Sequence, residues 1–347
     1  MTVQIIVGDA RAKVAKLAEA SVQCCVTSPP YFGLRDYGVD GQIGMEKTPD
    51  EFVAELVAVF RDVRRVLKDD GVLWVNIGDS YARNPSKGTT GTPNGRNIPG
   101  MGYSGGAGVP AGLKEKDLIG IPWMLAFALR ADGWYLRGDN VWGKPNGMPE
   151  SVTDRPTRSH EYVFLLTKSA RYYYDHEAVR TAPNAASQTR LGQNIDGQAG
   201  SQRANGGAKT NGAMKAVGKQ SGHSRRHDGF NDRWDAMDKA GQCAQGANLR
   251  SVWWISSAQF REGHFAVMPD LLAEICILAG SKPGDTILDP FGGAGTTGLV
   301  ADRLGRNAVL IELNPTFSAM ANDRINGDQT LFQPSSLTQR ETIEHGE

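Results

Sequence analysis

The apolar positions of this chain fall into short buried runs alternating with segments of helical period. Val3–Val7 reads as a short strand closed by Gly8-Asp9, Arg11–Glu19 has helical character, and Val22–Val26 is a second strand. Phe52, Leu56, Val59, Phe60, Val63 and Leu67 recur at helical spacing, which predicts a helix over Phe52–Leu67. Asp69-Asp70-Gly71 is expected to stop it, with Val72–Ile77 returning as a strand. Strand, helix and strand in alternation imply parallel pairing through right-handed crossovers. A helix is expected at Leu118–Ala131, and strands near Trp134–Trp142 and Glu161–Lys168. After Pro269 the regular pattern resumes: Leu271–Ala279 helical, Thr286–Leu288 a strand, Gly298–Leu304 a helix, Ala308–Ile311 a strand ending at Glu312. The tail beyond Asn326 reads as frayed.

Two tracts break the rhythm. Arg83–Gly112 is dominated by Gly, Pro, Asn, Thr and Ser, which predicts a long mobile loop. Ala182–Asn248 is rich in Gly, Gln, Asn and Ala; it carries ten Lys/Arg, counting Arg250 at its edge, against five Asp. The formal net charge of the 347 residues is zero, so this basic tract is hidden in the total, and contact with a polyanion must come from a local patch. Hydrophobic residues make up 40%, ample for a core. No early apolar run resembles a signal peptide, and no stretch approaches the ~20 apolar residues of a membrane span. Cys24, Cys25, Cys243 and Cys276 show neither metal spacing nor a secreted disulfide pattern, as expected of a soluble protein from a reducing compartment.

The candidate chemistry lies at two strand ends. Asp289-Pro290-Phe291-Gly292-Gly293-Ala294-Gly295-Thr296-Thr297 is a strand tip running into a glycine turn and a helix N-terminus, where unpaired N–H groups meet a ligand. Glu312 lies 23 residues after Asp289, at the next strand tip, where an acid binds ribose hydroxyls in Rossmann-type sheets. The turn is not Gly-x-Gly-x-x-Gly and carries no phosphate-binding lysine. An acid there suits a ligand with a cationic end, such as the amino and sulfonium groups of S-adenosylmethionine, better than a pyrophosphate.

Thr27-Ser28-Pro29-Pro30-Tyr31 closes the second strand. The exocyclic amine of cytosine or adenine is a poor nucleophile, because its lone pair is delocalised into the ring. Two acceptors that hold its hydrogens out of the ring plane localise that pair, and the Ser28 hydroxyl and Pro29 carbonyl can fill those roles. The Pro29-Pro30 pair stiffens the backbone, so the acceptors are preset. Tyr31 can stack on a base that has left the duplex.

These residues together resemble the site-specific DNA amino-methyltransferases of the beta, or permuted, class, in which the catalytic block precedes the cofactor block. The family's tetrapeptide is Asp, Asn or Ser followed by Pro-Pro and an aromatic; Ser28-Pro29-Pro30-Tyr31 matches its serine version, most often associated with N4-cytosine methylation. Asp289-Pro290-Phe291, Gly293, Gly295, Thr296 and Thr297 match the cofactor block, with Glu312 as the ribose acid. His264-Phe265-Ala266 resembles the segment closing over the methionine end of the cofactor, and Gly8-Asp9-Ala10 the segment bordering its adenine. Trp142, Lys144-Pro145-Asn146 and His160-Glu161 resemble the central region.

The resemblance implies an α/β fold: a Rossmann-like, doubly wound, mostly parallel sheet in circularly permuted order, with a basic recognition insertion. Residues 1–180 are then the catalytic half, 181–250 the target-recognition insertion, 251–325 the cofactor half and 326–347 a tail. It implies S-adenosyl-L-methionine as cofactor, double-stranded DNA as partner, and a cognate restriction endonuclease as a further one. Oligomeric state stays open between monomer and homodimer; the setting is the cytoplasm of a bacterium or archaeon, or a phage-encoded protein. N6-adenine is the alternative target, since both bases present an amine beside a ring nitrogen. The expected DNA contacts are Arg35, Lys144, Arg225 and Arg226.

Other readings explain less. A C5-cytosine methyltransferase needs a cysteine nucleophile in a Pro-Cys setting, which Cys24, Cys25 and Cys243 lack. An NAD-dependent oxidoreductase leaves Ser28–Tyr31 unexplained, and a non-catalytic DNA-binding scaffold has no need of both blocks intact. His223 and His227 have metal-like spacing without a partner set, so no metal is assigned. Asp79, at a strand end, is either a site residue or a turn cap.

Overall fold

A computed structural model of the chain describes residues 1–34, 39, 41–82, 109–147, 149–181, 246–258 and 267–332. It divides into two compact units, Met1–Asp175 with Arg250–Glu347, and His176–Leu249. Within the second, Thr181 and Ala247 exchange two backbone hydrogen bonds of 2.9 Å in an antiparallel bridge.

The first unit is built on an eight-stranded sheet. Its strands are β1 (Val3–Val7), β2 (Val22–Thr27), β3 (Leu67–Ile77), β4 (Tyr135–Gly143), β5 (His160–Thr167), β6 (Val252–Trp254), β7 (Thr286–Asp289) and β8 (Asn307–Glu312). Its helices are α1 (Ala10–Val14), α2 (Pro49–Val66), α3 (Ile121–Ala131), α4 (Asp270–Gly280), α5 (Thr296–Arg303) and α6 (Pro315–Phe332). The strand order is β1-β8-β7-β2-β3-β5-β4-β6, with only β5 antiparallel to its neighbours. No helix among the described residues is long and apolar enough to cross a membrane.

The direction of chain travel sets where a ligand can bind. From β2 the chain crosses by α2 to β3 on one side; from β7 it crosses by α5 to β8 on the other. Right-handed crossovers in opposite directions put their helices on opposite faces, and the divergence opens a crevice at the carboxyl ends of β2 and β7. These two strands are direct neighbours, pairing Cys24 with Ile287 and Cys25 with Leu288.

Covered on both faces, β2 has all six residues buried, and burial pushes the thiols of Cys24 and Cys25 up, leaving them protonated core groups. α2 starts in a capping box: the Thr48 hydroxyl accepts from the Glu51 amide, and the Glu51 carboxylate accepts from the Thr48 amide, each at 3.2 Å. Its stripe of Phe52, Leu56, Val59, Phe60, Val63 and Val66 is wholly buried against the sheet. Each large side chain of that stripe contributes roughly 1.5–3 kcal/mol.

Several expectations are corrected. The first helix stops at Val14 instead of reaching Glu19, because the Arg65 guanidinium caps the carbonyls of Val14, Ala15 and Leu17, and Ala20 turns to positive φ. Asp69-Asp70-Gly71 does not separate α2 from the next strand; β3 begins at Leu67 and absorbs these residues as an irregularity in its pairing with β2. The tail is not frayed at Asn326, since α6 continues to Phe332. β6 and α6 were not expected at all. The tract 83–108 and most of the basic tract lie outside the described residues.

Candidate active site

The tips of β2 and β7 are tied by side chains. The buried carboxylate of Asp289 accepts from the Thr27 hydroxyl at 2.6 Å, the Thr297 hydroxyl at 2.7 Å and the Phe291 amide at 3.0 Å. Burial pushes this carboxyl above its ordinary range, and those three donors pull it back.

Beyond Asp289 the chain turns through Gly293 (φ 49°) and Gly295 (φ 77°) into α5. Glycine is needed at 295 twice over: for the left-handed backbone, and because a Cβ there would stand 2.8 Å from the Ala321 Cβ of α6. From α6, Arg324 donates to the Ala294 carbonyl and to the Thr296 hydroxyl, at 3.2 and 2.7 Å, and to Asp270 at 3.0 Å. At the tip of β8, the Glu312 carboxylate accepts from the Gly293 and Asn314 amides, both at 2.8 Å. Burial raises its pKa, with nearby Asp289 adding to the rise.

Asp9 caps α1, accepting from the Arg11 amide at 2.8 Å, and pairs with the Arg11 guanidinium at 2.6 Å. The ion pair holds its carboxyl below the ordinary range. Arg11 also reaches Glu55 and the Gly41 carbonyl, at 2.6 and 2.7 Å, fixing the loop that follows Tyr31.

All these tips open into one cavity of about 210 Å³, lined by Ser28, Pro29, Pro30 and Tyr31 on one side and Asp289–Ala294, Thr296, Thr297 and Glu312 on another. Asp9 and Ala10 also line it, but Gly295 does not. Phe317 and Met320 of α6 complete an apolar wall.

Sequence reasoning missed a polar cluster here. The Glu161 carboxylate accepts from the Tyr31 hydroxyl at 2.6 Å and from the Asn76 amide nitrogen at 3.1 Å, and it pairs with the Lys144 ammonium. That ammonium lies 4.3 Å from the Trp142 ring centroid. All five residues line the cavity. Family resemblance at His160-Glu161 was the only signal for Glu161; nothing marked Asn76.

Asp79 is outside the lining; it accepts from the amides of Ser80, Gly120 and Ile121 and so caps α3. Arg35, Arg225, Arg226, His264, Phe265 and Ala266 lie outside the described residues.

A glycine turn holding a strand-end acid, set against a Ser-Pro-Pro-Tyr strand end in one crevice, is the arrangement of a nucleoside-cofactor amino-methyltransferase. Residues 22–323 match the DNA methylase family of N6 and N4 methyltransferases, and the chain belongs to it; its members use S-adenosylmethionine. The chain is 45% identical over 322 residues to the type II methyltransferase M.SmaI of Serratia marcescens, covering 93% of this chain and 90% of that protein. The fold is similar to the PvuII DNA methyltransferase (cytosine-N4-specific), with TM-score 0.57 and 16% identity over 95% of this chain and 92% of that one. It is also similar to a Thermus thermophilus protein complexed with S-adenosyl-L-methionine, with TM-score 0.54 and 22% identity over 94% of each chain.

Proposed function

We propose that this DNA methyltransferase acts on the N4 amine of a cytosine flipped out of duplex DNA. What supports the reading most is that Ser28 and Glu312, contributed by strands on either side of the switch point, line a single cavity. The residues fit S-adenosylmethionine: Glu312 for its ribose hydroxyls, the Gly293 turn for close approach of backbone, and Phe317 and Met320 for a flat apolar ring. Bound there, the cofactor supplies an electrophilic methyl group.

The chain's own groups prepare the nucleophile. The Ser28 hydroxyl and the Pro29 carbonyl accept the two amine hydrogens, turning the lone pair out of conjugation. Tyr31 stacks on the base, its ring held by the hydrogen bond to Glu161 and backed by Gly78, where a Cβ would fall 2.7 Å from the Tyr31 Cε2. No strong base is required, because the amine sheds its proton during or after transfer, and alignment provides much of the rate. Ser28 in place of an aspartate favours cytosine over adenine. Asp289 holds the two strand tips together, so its part in cofactor binding is to fix the turn. The tract 181–250 selects the target sequence, and kinship with a type II methyltransferase suggests a cognate restriction endonuclease.

Mass spectrometry of nucleosides from DNA of an expressing host tests this. N4-methylcytosine is expected; N6-methyladenine without it would overturn the choice of base.

A further inference from the structure

A flipped base is read along its Watson–Crick edge. Cytosine presents there an amine, the N3 acceptor and, at the far end, the O2 acceptor. Adenine presents an amine, the N1 acceptor and, at the far end, a C2–H. The amine and ring nitrogen are common to both, so O2 is where the two targets differ most. Recognition there requires a donor, and a donor facing C2–H would be left desolvated without a partner.

Among the described residues, the donors of the Tyr31–Glu161 cluster can be followed in turn. The Tyr31 hydroxyl is committed to Glu161, and the Asn76 amide donates to Glu161 and to the Tyr162 carbonyl, at 3.1 and 3.3 Å. Lys144 has three N–H groups. One goes to Glu161, and the Trp142 ring lies beneath the ammonium. Glu161 and Trp142 thus pin a long side chain from two sides, leaving donor capacity for a ligand in the cavity they line.

Lys144 was expected as a DNA contact, and its setting argues against a phosphate as the partner. Its side chain is 19% exposed and its charge is matched by Glu161, itself 13% exposed. A phosphate would have to approach this carboxylate together with the ammonium, whereas a neutral base edge suits a neutralised pair. Resting on the cytosine reading above, we propose that Lys144 donates to O2 of the flipped cytosine and so adds to the preference for cytosine over adenine that Ser28 sets.

The experiment uses the full-length protein and duplex oligonucleotides carrying its target site, located beforehand by modified-base sequencing. Wild type and Lys144→Met are each assayed on cytosine and on 2-thiocytosine, whose sulfur is a poor acceptor. Wild type is expected to lose about 10- to 100-fold in kcat/KM on the thio base, the worth of one charge-assisted hydrogen bond. Lys144→Met is expected to lose a similar factor on cytosine and to treat both bases alike, with its affinity for S-adenosylmethionine by calorimetry unchanged. Losses that multiply would overturn the contact, as would a cofactor affinity that falls with turnover. The wild-type comparison needs no substitution, so indifference to sulfur would overturn the proposal even if the variant failed to fold. N6-methyladenine as product would sink the cytosine reading and this inference together; N4-methylcytosine with multiplying losses would sink this inference alone.

Discussion

The Thr27 hydroxyl donates to the Asp289 carboxylate at 2.6 Å, although 262 positions separate the two in sequence. This bond joins the strand that leads into Ser28 to the strand that leads into the glycine turn. Asp289→Ala removes the acceptor for Thr27, Thr297 and the Phe291 amide at once. Cofactor affinity is expected to fall by at least tenfold in calorimetry. Thr27→Val, which leaves Asp289 with one donor fewer, should destabilise the fold by about 1–3 kcal/mol in urea melts.

Ser28→Ala touches a different step. The residue lies past the end of β2 and none of the bonds that fix the glycine turn involves it. Turnover should drop by roughly 10- to 100-fold, the effect of one lost acceptor at the reacting amine. Affinity for S-adenosylmethionine should stay within twofold of wild type. Equal loss in both would mean that Ser28 supports the cofactor instead of the amine.

Both strand ends were legible in the sequence because their chemistry is local: a proline pair and a glycine turn each announce themselves within a few residues. Their meeting in one crevice rests on β2 pairing with β7, in keeping with the switch-point rule for open α/β sheets. α6 was not legible, since few apolar residues mark its buried face and Asn322, Asn326 and Gly327 are poor helix formers. It is held by tertiary contact, with Ala321 and Ile325 against Gly295 and Gly298, and Arg324 on the turn. The Tyr31–Glu161–Lys144 cluster was hidden for a related reason: it converges from three separate segments. Arg65 shortening α1 belongs to the same class, as a side chain 50 positions away caps a carbonyl there.

Asp9 carries a pH signature. Its carboxyl is held below the ordinary value of 3.8 by Arg11. A depressed native pKa contributes stability that is present above 3.8 and is lost as pH falls through the native value. Asn at this position still caps α1, so Asp9→Asn isolates the charge. Wild type should be the more stable at pH 7, and the gap should close as the pH falls below 3.8. Urea melts across pH 2–7, at roughly one-unit steps, read this directly; a gap independent of pH would remove the ion pair from the account.

Arg225 and Arg226 test the role given to the basic tract. If both meet phosphates, replacing them with Gln weakens binding to every duplex alike. It also lowers the slope of log K against log salt by about 2, near one per phosphate contact. Fluorescence anisotropy at several salt concentrations measures it. An unchanged slope would take the pair out of the interface.

Gly78 offers a way to disturb Tyr31 without altering any group that meets the base. A Cβ at this position would lie 2.7 Å from the Tyr31 Cε2 and 3.4 Å from the Glu161 carboxyl carbon, so alanine must displace the ring, the carboxylate or both. Tyr31→Phe, by contrast, keeps the stacking surface and gives up the 2.6 Å bond to Glu161. If Tyr31 acts by holding the base flat against the acceptors, Gly78→Ala should cost more turnover than Tyr31→Phe. The expected losses are about 10²-fold, as for a displaced substrate-positioning group, against about 10-fold for one hydrogen bond. Single-turnover methyl transfer at saturating cofactor separates the two, since neither change reaches the Glu312 side of the cavity. The reverse ranking would assign Tyr31 its role through the hydroxyl and Glu161, with the ring serving only as spacer.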